Sequence, residues 1–124
     1  MIATLILIAF AGAFKAVMDT LQFHYYNSIF RSSTTQYFWD SNISWKNKYT
    51  DSAQFKRKKI FRLIPVPVMF TDGWHLFQAL FLNCFFLSII FYQIRFNLII
   101  DFIILRSVFG VTFYLFYNKI LIKK

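Results

Sequence analysis

The sequence predicts an all-α, polytopic membrane protein with three transmembrane helices and a juxtamembrane cytoplasmic loop, forming one domain over residues 1–124. Hydrophobic residues make up 58% and aromatic residues 23% of the chain, more apolar surface than a soluble core of this size can hide. Three stretches, at about residues 1–18, 74–94 and 97–118, have the length and apolarity to cross a hydrocarbon core of about 30 Å. The basic residues gather at the ends of these stretches that a three-span path places on one side, as the cytoplasmic retention of Lys and Arg requires.

Composition also excludes some classes. Eighteen Phe beside three Gly and two Pro argue against disorder, because a disordered chain lacks the apolar surface to offset the entropy of ordering. The net charge of +9 comes from fourteen Lys and Arg against five acids, all of them Asp. In a membrane chain that excess marks topology and attraction to anionic headgroups; nucleic acid is not an expected partner. Cys84 is the one cysteine, which rules out an intrachain disulfide and a cysteine-based zinc site. Within its apolar run it reads as a small hydrophobe.

Met1 to Val17 is apolar except for Thr4 and Lys15, and as a helix it would reach roughly 26 Å. No basic residues precede the apolar stretch as a secretory signal would have, although Ala11-Gly12-Ala13 resembles a cleavage site, so an uncleaved first span is expected. Lys15 and the charges after it place the N-terminus outside. Phe14, Met18, Leu21, Tyr25 and Ile29 recur at helical spacing and predict a helix that projects past the membrane or bends along its surface.

The loop, about residues 19–70, alternates aromatic and polar groups. Trp39 and Trp45 are expected as interfacial anchors. Lys56-Arg57-Lys58-Lys59 is expected to bind anionic lipid headgroups, at roughly 1 kcal/mol per basic residue near the surface. Asn42-Ile43-Ser44 has the pattern of a glycosylation acceptor, which a cytoplasmic position would leave unused. Pro65 and Pro67 predict an extended or re-entrant path through Leu63–Phe70.

Thr71 or Asp72 then caps the second span, where an acid also suits the positive end of the helix dipole. Gln93 to Asn97 is too short for anything but a helical hairpin turn, and Lys119, Lys123 and Lys124 end the third span with a second basic cluster.

Two groups of residues could carry chemistry. A charge at mid-bilayer depth costs on the order of 3 kcal/mol, so Arg106 requires a partner. Counting from opposite ends of the hairpin sets Asn83 and Arg106 at comparable depth, and with Asp101 they are expected to form an intramembrane polar cluster. The second group lies where the first two spans meet the loop: Asp19 and His24 follow one span, Asp72 and His75 open the other. Imidazoles and carboxylates together could hold Zn or Fe and activate a water, or act as acid and base without metal. Asp19 and His24 stand about 140° apart on a regular helix, which weighs against a shared ion. No HExxH, GxSxG, Walker or paired-cysteine motif accompanies them. In the alternative, structural reading Asp72 caps the helix, Trp74 anchors it and His75 hydrogen-bonds among headgroups.

Read together, Met18-Asp19-Thr20-Leu21-Gln22-Phe23-His24, Ser44-Trp45-Lys46-Asn47-Lys48-Tyr49 and Thr71-Asp72-Gly73-Trp74-His75 resemble a group of small, uncharacterised bacterial integral membrane proteins, over about the first two thirds of the chain. The resemblance implies the class and no activity. The leading expectation is a small protein of the bacterial inner membrane, C-terminus cytoplasmic, that binds lipid, a membrane-protein partner or a second copy of itself through its basic aromatic loop. The alternative is a metal-assisted interfacial hydrolase or lipid-modifying enzyme using Asp19, His24, Asp72 and His75.

Overall fold

The structure, a computed structural model, describes residues 1–123. Lys124, counted above in the basic C-terminal end, lies outside the described residues. Three helices are long and apolar enough to cross a membrane: Ile2–Phe23, Gly73–Ile90 and Leu98–Leu121. Helix α1 (Ile2–Phe23) is central. The loop contributes two single-turn helices, α2 (Gln36–Trp39) and α3 (Ser41–Ser44). Helices α4 (Gly73–Ile90) and α5 (Leu98–Leu115, continued by a π-helical turn over Phe116–Leu121) form the expected hairpin. Both pack closely on α1, and the seam between them is bridged by the rings of Phe81, Phe85 and Phe109.

Small residues explain the central place of α1. Ala11, Gly12, Ala13 and Ala16 are buried, so both partner helices can approach its backbone. A Cβ on Gly12 would come within 2.6 Å of the Phe109 carbonyl oxygen, so only glycine permits the α1–α5 approach there. At one end of the bundle, the tip end, the Thr4 hydroxyl donates to the Phe91 carbonyl at 3.0 Å and ties α1 to the turn after α4. At the other, the loop end, Ala16, Val17, Leu21, Tyr25 and Leu121 form the buried core.

Helix α1 continues past the predicted span but stops at Phe23, and 3-10 turns at Tyr25–Asn27 and Ile29–Ser32 follow. Met18, Leu21 and Tyr25 keep the buried face, whereas Ile29 falls outside it because the helix has ended. The chain turns back against the end of α5, where Ser28 bridges to Ile122 and the Lys123 N–H donates to the Asn27 carbonyl at 2.8 Å.

The loop is more ordered than an all-α reading allows. Helix accounts for 70% and strand for 9% of the structure, the strand residues lying in two small antiparallel hairpins and the isolated Ser28–Ile122 bridge. β1 (Tyr49–Asp51) pairs with β2 (Lys56–Arg57), and β3 (Lys59–Ile60) with β4 (Ile64–Pro65). Trp39, expected as an interfacial anchor, is half-buried against the loop-end core: it stacks on Phe30 with centroids 4.8 Å apart and lies over Gly73, where a Cβ would meet its ring at 2.8 Å.

Candidate functional site

The start of α4 is set by Asp72. In extended conformation it is the N-cap of α4, and its Oδ1 accepts the His75 backbone N–H at 2.9 Å. Three residues on, His75 lies on the same helix face, and its Nδ1 is 2.7 Å from Asp72 Oδ2 and 2.9 Å from Oδ1. One carboxylate thus caps the helix and orients the imidazole. Facing an acceptor-only group, Nδ1 carries the proton in the neutral ring and Nε2 keeps its lone pair.

The pair is reachable from one side only. The Asp72 side chain is 3% exposed and that of His75 39%, so solvent meets the imidazole and not the acid behind it. A cleft of about 240 Å³ opens at His75, walled by Gln22 of α1, Trp74 of α4 and Ser41, Ser44 and Trp45 from the loop. The Ser41 hydroxyl donates to the Leu21 carbonyl at 3.0 Å, fastening α3 to the end of α1 and satisfying one of its unpaired terminal carbonyls. Asp40 caps α3 by accepting the Asn42 N–H at 2.9 Å, and the Trp45 indole donates to the Asn42 carbonyl at 3.1 Å. Chemically, the cleft presents a pre-oriented proton acceptor beside two hydroxyls and an indole face. Gln22, Ser41, Ser44 and Trp45 carry no spacing that marks them as wall residues; the fold of the loop over α1 brings them there.

The other sequence-predicted site residues go elsewhere. Asp19 pairs with Lys15 one turn back on α1, and His24 packs edge-on against Tyr117 at 5.6 Å. Among the described residues no three His, Cys, Asp or Glu side chains are grouped to hold a metal ion. The expected four-residue cluster of Asp19, His24, Asp72 and His75 is therefore not assembled, because α1 directs its acid and imidazole away from the start of α4. Asp101 is fully buried and accepts the Tyr92 hydroxyl (3.1 Å) and the backbone N–H groups of Arg95 (2.8 Å) and Phe96 (3.3 Å). Among the described residues no direct hydrogen bond joins Asp101, Asn83 and Arg106 to one another. Arg106 instead lies over the Phe109 ring at 5.9 Å.

Lys56, Arg57, Lys58 and Lys59 all lie on the exposed surface of the two β-hairpins, and none is in an ion pair among the described residues. Beside them Phe61 is 87%, Leu63 80% and Ile64 62% exposed. The turn holds Phe61 and Arg62 at positive φ (51° and 61°), a conformation that side chains other than glycine enter at a cost. In the loop-end core, burial and the nearby Asp40 carboxylate push the Tyr25 phenol above its ordinary value, and its hydroxyl has no hydrogen-bond partner among the described residues.

Comparison with known protein families, with curated proteins and with solved structures finds no match to this chain.

Proposed function

We propose that this is a three-span protein of a bacterial inner membrane whose loop binds anionic lipid headgroups. The observation that carries this reading is the pairing, on the two β-hairpins, of four exposed cations with bare Phe61, Leu63 and Ile64. Exposing apolar side chains of this size to water costs free energy, and cations beside them favour a surface that is apolar below and negative above. The N-terminus lies outside, and the loop and C-terminal end face the cytoplasm, following the distribution of basic residues. Two measurements test the reading. The full chain in detergent, titrated with mixed micelles, should prefer phosphatidylglycerol to phosphatidylcholine, and replacing Lys56, Arg57, Lys58 and Lys59 by Gln should weaken that binding by about a hundredfold or more, at roughly 1 kcal/mol per cation. Equal affinity for the two lipids would remove the reading. In a Cys84→Ser background, Ser52→Cys should be shielded from an impermeant thiol reagent in intact cells; labelling there inverts the topology.

A second reading is favoured by the Asp72–His75 geometry: a metal-free general base at headgroup depth, with His75 Nε2 taking a proton and Asp72 orienting the ring. A Zn or Fe version has fewer donors to draw on, since the Asp72 oxygens already accept two N–H groups. Hydrolysis of a lipid ester by purified protein, abolished in His75→Ala and reduced in Asp72→Asn, is the expected sign of it. Stoichiometric metal lost in His75→Ala would restore the metal-assisted alternative.

A further inference from the structure

The hydroxyls of the buried residues Thr4, Thr20, Ser28, Thr71 and Ser88 each donate to a backbone carbonyl, at 2.7 to 3.0 Å. That is the ordinary fate of a serine or threonine taken out of water, because a hydroxyl buried without a partner loses its hydration and gains nothing. Ser44 is the exception. It is 3% exposed, yet its hydroxyl makes no hydrogen bond among the described residues. The Tyr25 hydroxyl also lacks a partner but is sealed in the core, whereas Ser44 borders the cleft at His75.

The backbone that carries this hydroxyl is held on two sides. Ser44 closes α3, and its N–H donates to the Asp40 carbonyl at 2.8 Å, while Ser41 fastens the same turn to the end of α1. On another wall of the cleft stands His75, fixed through Nδ1 by Asp72 and met edge-on by the Trp74 ring at 5.1 Å. Its Nε2 has no partner among the described residues. One cleft thus contains a hydroxyl without an acceptor and a ring nitrogen without a donor. At about 240 Å³ it holds a small functional group, so groups on its walls reach the same bound atom. Nucleophile and base commonly stand apart in an empty site and close on substrate.

We infer that Ser44 is the nucleophile of a Ser44–His75–Asp72 site that cleaves neutral carboxylic esters. The inference rests on the reading of His75 as a general base and goes beyond it by replacing water with serine in the first step. Ser44 Oγ attacks the ester carbonyl carbon as its proton passes to His75 Nε2; the C–O bond to the alcohol then breaks, and the alcohol leaves with that proton. Water next gives a proton to Nε2 and attacks the acyl-Ser44 carbonyl, and the acid departs as Oγ regains the proton. Asp72 is the positioning residue that holds the ring and stabilises the imidazolium. Gln22, on the cleft wall and with no side-chain hydrogen bond among the described residues, offers an amide N–H to the oxyanion. No Lys or Arg is among the wall residues, so a neutral ester suits the cleft better than a phosphate ester, which calls for cations.

The test uses the purified full-length protein in detergent, with p-nitrophenyl butyrate as substrate and a fluorophosphonate as probe. Hydrolysis should fall by about a hundredfold or more in Ser44→Ala and in His75→Ala, and the double variant should be no worse than either, since the two groups act as one unit. Ser107→Ala, on α5, should be unchanged. The fluorophosphonate should leave one phosphonyl group on Ser44, its P–O bond formed as fluoride departs, located by peptide mass spectrometry. That label is read on the parent chain, so the test stays decisive should Ser44→Ala fail to fold. Hydrolysis lost in His75→Ala but kept in Ser44→Ala, or a label on another residue, would overturn the inference and leave His75 as a base acting on water. A parent that neither hydrolyses the ester nor takes the label would remove both readings.

Discussion

Asp72 and Asp101 are both buried carboxylates at the start of a helix that follows a turn, Asp72 accepting one backbone N–H and Asp101 two. At the tip end Asp101 spends its oxygens on Tyr92, Arg95 and Phe96, all from the turn before it. It closes a structure and exposes nothing reactive. At the loop end Asp72 divides itself between the α4 cap and His75, and the imidazole it holds reaches a cleft. The difference lies in the donors. Where the partners are backbone amides the acid serves the fold, and where one partner is a titratable ring with a second nitrogen free, the same acid prepares a site.

Removing each acid separates these roles. Asp101→Ala should have the largest effect on stability, since it leaves two amides and a hydroxyl without their acceptor at once. A loss on the order of 10 °C in the melting temperature in detergent is expected, with fast amide exchange confined to residues 92–96. Tyr92→Phe should lose far less. If Asp101→Ala melts like the parent, Asp101 is not what holds the tip.

Asp72→Asn should matter less to stability and more to chemistry. Asparagine caps about as well as aspartate, so the cost should stay within about 1 kcal/mol. The amide can also donate, so the ring loses its fixed tautomer. Nitrogen-15 NMR of neutral His75 should find the proton on Nδ1 in the parent and on both nitrogens in the variant. A parent ring protonated on Nε2 would contradict the proposed role.

Tyr25 provides the smallest expected effect and the opposite case, a buried hydroxyl with no partner at all. Tyr25→Phe should be neutral or stabilising by up to about 1 kcal/mol, because an unsatisfied group is removed and the ring is kept. The raised phenol value adds a pH signature. Above the unfolded phenol's value of about 10, the unfolded chain gives up its proton before the folded one does, so stability falls as pH rises. The Phe variant should lose that alkaline sensitivity; melting curves taken on both sides of pH 10 provide the comparison.

Much of this was legible in the chain. The three apolar stretches could be read because the bilayer imposes a length on any helix that crosses it, and the hairpin because Gln93–Asn97 leaves no room for another connection. The capping of α4 by Asp72 and its closeness to His75 were readable too, since a cap and an i,i+3 pair are local geometry. Local geometry also explains where the reading failed. Periodicity places Asp19 and His24 on a helix but cannot say which neighbour each will face; Asp19 turned to Lys15 and His24 to Tyr117. Nor could spacing say that the Trp39 ring would pack over Gly73, a contact made only across the fold.

By itself, then, the sequence determined three helices long and apolar enough to cross a membrane and the acid that starts α4, all consequences of length, apolarity and neighbours within a few residues. The tertiary structure alone decided that α1 would be the centre, that the loop would wall a cleft at His75, and that Arg106 would lie over the Phe109 ring. Those outcomes depend on which helix faces meet, and that is set by the small residues of α1 and the Phe rings between α4 and α5, whose effect exists only once the helices are packed.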